Sequence, residues 1–363
     1  MGGGHWNLVL MLRSVLCGLF LPVLSGGGCG QPARGLHITL RVVGFSAGGE
    51  ELVFLQQSVA QGGLEKRPTG WDLYRMARDG TEIRRLTTTG ALGTYADVSA
   101  RAGLIACSRV SPGARCEIAV LNLFGELVWR VPTGKWTIDL YPHWSPDGRR
   151  LAFIRSDPSD RNHWPYVWII TAFGDRPRKV SRDSVSLPGY CWSHDGQAIF
   201  YCGRGTGIIH RVSAEAGTKP IKLARVEGAR YLALSPTGRL LAVWSLQKGL
   251  FMIDLRDSTV SRLAETTGYA CWTPDGSHLL FTKRTDAFQQ VFSFDPIDSE
   301  VEALTGDPYD SFAPICSSRH EVFYLTSQQG IVSLWRMNLD GSGKTRVYTP
   351  ATSGATRPPG RGG

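Results

Sequence analysis

An all-β fold assembled from seven copies of one four-stranded unit is what this sequence predicts, and three observations predict it. The first is a recurring segment: a bulky apolar residue, a small hydroxyl, a tight turn, then a hydrophobic strand. It is clearest at Trp144-Ser-Pro-Asp-Gly148, Trp192-Ser-His-Asp-Gly196 and Trp272-Thr-Pro-Asp-Gly276. The second is spacing: Phe45, Val98, Trp144, Trp192, Leu234, Trp272 and Ile315 follow one another at intervals of 38 to 53 residues, about the length of one propeller blade. The third is that no segment of ordinary helical length carries a 3.6-residue apolar stripe.

Each unit is read in the same order. Position one of the series, directly after the bulky residue, holds Ser46, Ser99, Ser145, Ser193, Ser235, Thr273 and then Cys316, so a hydroxyl stands there in six of seven. In the turn that follows, proline pre-sets the first corner, aspartate bonds its own following backbone, and glycine takes the left-handed slot. Gly49, Gly148, Gly196, Gly238 and Gly276 fill that slot, whereas Ala102 and Arg319 stand there in the second and seventh units. The second strand begins with Leu52, Ile105, Leu151, Ile199, Leu241, Leu279 or Val322. Two residues on come Phe54, Cys107, Phe153, Tyr201, Val243, Phe281 and Tyr324, a gap that puts both sets on one strand face. Third strands such as Tyr166-Val-Trp-Ile-Ile170 and Leu250-Phe-Met-Ile-Asp254 lead through polar turns, Asp79-Gly80 and Asp340-Gly341 among them, into short fourth strands such as Ala303-Leu304-Thr305. Sandwiches and barrels also use many short strands, but they do not require seven equivalent units. The architecture expected is a single seven-bladed β-propeller of four-stranded antiparallel blades over residues 36–349. Ile38–Val42 supplies the inner strand of the first blade and Thr345–Tyr348 the outer strand of the last; the alternative is that the amino-terminal strand pairs outside blade seven.

The Trp-Ser-Pro-Asp-Gly turn followed by a hydrophobic strand, repeated in register with third and fourth strands, resembles the TolB-type, WD40-like propeller repeat family. The resemblance covers roughly residues 38 to 348. It implies the propeller. TolB itself sets six blades after a separate amino-terminal domain, so the resemblance implies fold more than it implies TolB's role at the outer membrane.

Residues 1–29 read as an export signal: Arg13, the apolar run Val15–Leu24 and a small-residue exit. Cys29 follows Gly26-Gly-Gly28 in the manner of bacterial lipoprotein signals, although Gly26 departs from the usual residue three before the cysteine. Two readings follow, lipid attachment at Cys29 or simple cleavage close by, and both place the protein in the periplasm or cell envelope, the first with a lipid anchor. Export permits a disulfide. Cys107 and Cys116 become direct cross-strand partners if their hairpin turns at Ser111-Pro112; otherwise they are two small buried thiols. Residues 350–363 read as a disordered tail.

Net charge is +9 with 42% hydrophobic residues, and the basic residues are scattered rather than clustered. Nucleic-acid binding needs a basic footprint, so it is not expected. Gly44-Phe-Ser46-Ala-Gly48 matches a nucleophile elbow, but an elbow needs a strand-to-helix turn under an α/β sheet, and Ser46 instead belongs to the repeat series. The histidines show no metal-ligand spacing, and neither a metal nor a cofactor is indicated. The function expected is non-catalytic binding of a protein, peptide or glycan through loops at one mouth of the ring. Asp160, Arg161, His163 and Trp164 form a candidate binding loop, in which Trp164 either anchors a partner or covers a blade edge. The alternative is a lyase or hydrolase of an extracellular polymer with its site in the central channel, for which Asp97, Asp139 and His143 lie near suitable inner-strand positions.

Overall fold

The computed structural model describes residues 40–59, 68–111, 115–134, 136–157, 162, 164–215, 217–265, 268 and 270–350. Among them are 28 strands, and the one helical element is the three-residue 3-10 turn Ala47–Gly49. Five antiparallel sheets have four strands each, and a sixth has eight. The eight-stranded sheet is two consecutive four-strand runs, Leu40–Arg85 and Leu92–Arg130, whose contact in the sheet is the single pair Trp71 with Leu92. The five further sheets, numbered third to seventh after the two runs, span Ile138–Lys179, Val185–Arg225, Ala229–Ala264, Ala270–Ala303 and Asp310–Tyr348.

The core lies between sheets rather than within any one of them. Strand residues of alternate parity face alternate neighbours, so Phe153 packs back on Ile118 and Val120 of the second run while Ile154 packs forward on Tyr190 and Tyr201. Seven such hydrophobic clusters join successive runs and sheets. The last brings Phe312, Phe323, Leu325 and Leu334 onto Leu40, Leu52, Phe54 and Met76, so the final sheet packs on the first run and the chain closes on itself. No strand is exchanged at this seam among the described residues. Leu40–Phe45 pairs with Glu51–Val59 and Thr345–Tyr348 with Ile331–Asn338. Side chains secure it instead, with Arg78 Nη1 2.9 Å from Glu321 Oε2, an Arg319–Glu50 ion pair, and the Tyr348 hydroxyl donating to Gln56 Oε1 at 2.6 Å.

From the third to the sixth unit the repeat hydroxyl has one job, accepting the amide five residues on. Ser145 Oγ accepts from Arg150 N at 2.9 Å and donates to Asp147 Oδ1; Ser193 and Thr273 do the same with Ala198 N and Asp195, and with His278 N and Asp275. The seventh unit differs from the sequence expectation. Cys316 pairs with Val322 as Trp144 pairs with Leu151, and Ser317 Oγ accepts from Glu321 N at 3.2 Å. The turn is one residue shorter there, so the hydroxyl is present but displaced by one, and His320 takes the left-handed slot at φ 60°.

Of the two arrangements open to Cys107 and Cys116, the cross-strand pair does not form. Ser111 pairs with Arg115, so the hairpin does not turn at Ser111-Pro112; Cys107 lies opposite Ala119 and Cys116 opposite Val110. Cys107 faces the first run, while Cys116 alternates with Ile118 and Val120, which face the third sheet. Both remain free, buried thiols, pushed up by burial to about 12 and about 11.

Candidate binding pocket at the inner strands

The first strand of each run or sheet packs against its counterpart in the next, so these are the innermost strands. The residue one place before the repeat's bulky position is Asp97 in the second run, His143 in the third sheet and Cys191 in the fourth. Equivalent positions on three consecutive inner strands converge. They line one open cavity of about 420 Å³ together with Ser99, Ala100, Arg101, Trp144, Ser145 and Trp192.

Asp97 is a quarter exposed and its Oδ2 stands 3.8 Å from His143 Nδ1, which is 43% exposed. The same Oδ2 accepts the Trp144 backbone N–H at 2.7 Å. Burial raises the Asp97 pKa, opposed by His143 and by the N–H groups of Trp144 and Val98. Burial also pushes the Cys191 thiol up to about 12, so it stays protonated near neutrality and is no nucleophile. Tyr190 meets the His143 ring edge-on, with centroids 5.4 Å apart.

Two indoles of the repeat, Trp144 and Trp192, complete the wall. Trp192 Nε1 donates to His143 O and Trp272 Nε1 to Ala233 O, each at 3.0 Å and each across to the preceding sheet. Trp144, at the same repeat position, is 6% exposed, and its Nε1 makes no hydrogen bond. Trp129, Trp168, Trp244 and Trp335 share that state, but of the five Trp144 borders the cavity. Among the described residues no group of three His, Cys, Asp or Glu is placed to hold a metal ion.

The structure separates the other sequence candidates. Asp139 does not join Asp97 and His143: it is fully buried in a bidentate pair with Arg155, at 2.7 and 2.8 Å, and Arg155 also donates to Pro132 O. Asp160, Arg161, His163 and Cys29 lie outside the described residues. Trp164 is 42% exposed with the Arg204 guanidinium 5.8 Å from its ring centroid, so it covers the neighbouring loop as well as facing outward. The antiparallel strand order puts Trp164, next to the Ser156–Pro165 end of its hairpin, on the opposite face from the cavity. Ser46 leads from strand Leu40–Phe45 through the short turn into Glu51–Val59, a strand-to-strand setting and not an elbow. Sequence reasoning singled out Asp97 and His143 but missed Cys191, Trp144 and Arg101 as their neighbours. The signal was available, because Asp97, His143 and Cys191 share one repeat position.

No protein-family model matches the chain. A stretch of 148 residues, 39% of the chain, is 27% identical to the uncharacterized peptidase YuxL of Bacillus subtilis (strain 168). The chain spans about a fifth of the length of that curated relative, 21%. Among solved structures, a provisionally assigned 6-phosphogluconolactonase from Bacteroides uniformis is similar over 82% of this chain and 96% of its own, with TM-score 0.56 and 15% identity. TolB from Acinetobacter baumannii is similar over 84% and 80%, with TM-score 0.49 and 16% identity. The first of these likenesses shows the fold alone, a β-propeller.

Proposed function

We propose that the chain is an exported, seven-bladed propeller that acts by binding, with a protein or peptide segment as its partner and the inner-strand pocket as its contact point. The count of seven is supported by 28 strands taken four at a time and by the seven clusters that follow one another around the closed chain. Export is supported by Arg13 and the apolar run after it. The observation that carries the binding reading is the pocket itself: an open cavity of about 420 Å³ in which Asp97, His143 and Cys191 from three consecutive inner strands meet, His143 being 43% exposed. The first strand runs from Leu40 towards the pocket's face and the last strand runs away from it to Tyr348. A tether at either end therefore leaves the pocket pointing outward.

A photo-reactive amino acid at Ala100, which lines the pocket, should cross-link a partner in the native envelope; at Phe173, 93% exposed on the outer rim, it should not. Absence of any adduct at position 100 would remove the binding reading.

The pair Asp97 and His143 favours a second reading, hydrolysis or lyase chemistry on an extracellular polymer. An acid–base pair needs a carboxyl free to move a proton, whereas Asp97 Oδ2 is held by a backbone N–H. Depolymerisation by the wild type that is lost in His143→Ala would establish the catalytic reading instead.

A further inference from the structure

We infer that Cys271 and Cys316 are a disulfide site, closed by a disulfide oxidant, that fastens the inner strand of the sixth sheet to that of the seventh. The site is separate from the pocket and independent of what the pocket binds. The repeat itself places the two thiols together. Cys271 holds the place before the repeat's bulky residue, as Asp97, His143 and Cys191 do. Cys316 holds the bulky place, pairing with Val322 as Trp272 pairs with Leu279. These two places meet at successive junctions. Trp192 reaches back to His143 O and Trp272 to Ala233 O, and the Trp144 backbone N–H donates to the Asp97 carboxylate. The Leu234 N–H meets the Cys191 sulfur in the same way, and the Cys316 N–H meets the Cys271 sulfur. Only between the sixth and seventh sheets are both places cysteine.

Contacts at this junction show where both side chains point. Cys271 Sγ donates to Pro314 O at 3.1 Å, two residues from Cys316. Both cysteines pack with Val322, Trp335 and Met337 in the cluster between the two sheets. The Cys316 thiol makes a weak sulfur contact to Ser317 O at 3.5 Å, so little holds it from turning onto Cys271. Other pairs lack this geometry. Cys107 and Cys116 face different neighbours. Cys191 pairs with Phe200, so Cys202 lies diagonally from it, and Cα atoms in that relation stand about 7–8 Å apart, beyond ordinary disulfide reach.

Burial raises the Cys271 thiol and pushes Cys316 up to about 12, so the folded pair holds little thiolate and exchanges slowly near neutrality. The bond therefore closes while the two sheets are docking, with both thiols still near their ordinary values. Glutathione disulfide is a sufficient oxidant. One cysteine thiolate attacks it and releases a glutathione thiolate; the other attacks the mixed disulfide and releases the second. One protein S–S bond replaces the glutathione S–S bond, and the two thiol protons leave on two reduced glutathiones.

The test refolds full-length protein from urea in reduced and oxidised glutathione, alkylates the remaining thiols and digests the folded fraction with trypsin without reductant. Cleavage after Lys283 and Arg284 separates the two cysteines, and a peptide linking Cys271 to Cys316 should be recovered. A reductant should lower the melting temperature of the oxidised wild type by roughly 5 °C, and should cause no such fall in Cys271→Ala or Cys316→Ala. The peptide map needs neither variant, so it decides the matter even where a variant does not fold. Alkylation of both thiols, or a link from either to a different cysteine, would overturn the site. A linked peptide whose reduction leaves melting unchanged would overturn it too, because a bond strained by the docked sheets fastens nothing.

Discussion

Gly125 and Gly238 separate two reasons for a glycine. Both take a left-handed backbone, at φ 87° and 72°, but a Cβ on Gly125 would stand 2.3 Å from Leu86 O in the preceding run, while one on Gly238 meets nothing within 4 Å. Gly238→Ala should therefore cost only the left-handed strain, roughly 1–2 kcal/mol. Gly125→Ala should cost distinctly more, because backbone must move; urea titration of the two variants measures the difference. The buried pair of Asp139 and Arg155 makes a second residue-scale case. Arg155→Met strands a buried carboxylate, which should cost roughly 3–5 kcal/mol, and Asp139→Leu with Arg155→Met should cost much less. Burial raises Asp139 to about 6 even against Arg155. A carboxyl raised in the folded state above its unfolded value loses stability as pH rises through that window. Without Arg155 the folded value climbs further, so the gap between variant and wild type should open above about pH 6 and narrow towards pH 5. A deficit independent of pH would mean that Asp139 is not the stranded group. Sequence could flag Asp139 as an inner-strand acid, but not its capture by Arg155, since a contact 16 residues away depends on which strand face each occupies.

The turn is the element that carries the repeat, and it was legible wherever its residue count held. From Trp144 to Leu151 and from Trp192 to Ile199 the count is constant, so hydroxyl, aspartate and glycine fall where local backbone chemistry requires. One deletion hid the seventh turn: Ser317 makes the hydrogen bonds, yet counting from Ile315 put Cys316 in its place. The same kind of error moved Cys107 out of register, because loop length sets which residues face each other. The repeated hydroxyl at the start of the following connection, with Thr87, Ser181 and Thr305 accepting the N–H of Leu73, Val167 and Val291, carried too little pattern to be read. Ser145→Ala and Ser317→Ala should each lose roughly 1 kcal/mol. Cys316→Ala removes no turn hydroxyl and should leave the turn's amide protection unchanged while Ser317→Ala exposes Glu321 N–H to exchange. Equal protection in both variants would mean that Ser317 is not the turn residue.

At the scale of the molecule, closure rests on the seam between the last sheet and the first run. Among the described residues that seam contains no exchanged strand and no backbone hydrogen bond crosses it, so their contribution to it is the packing of Phe312, Phe323, Leu325 and Leu334 on Leu40, Leu52, Phe54 and Met76. Phe323 is fully buried and meets Phe45 edge-on at 5.3 Å between centroids. Phe323→Ala should cost roughly 3–5 kcal/mol through lost burial and the cavity left behind. Where the loss appears is the sharper test. The junction of the first two runs also has the Trp71–Leu92 backbone pair, whereas the closing seam has the Arg78–Glu321 and Tyr348–Gln56 side-chain contacts. Opening should then begin at the seam, since local stability follows local packing. Hydrogen exchange in Phe323→Ala should rise first at Leu40–Phe45 and Thr345–Tyr348, with Val185–Trp192 on the far side of the ring still protected. A uniform rise across all strands would show instead that the ring opens as one cooperative unit, with the seam no weaker than any other interface.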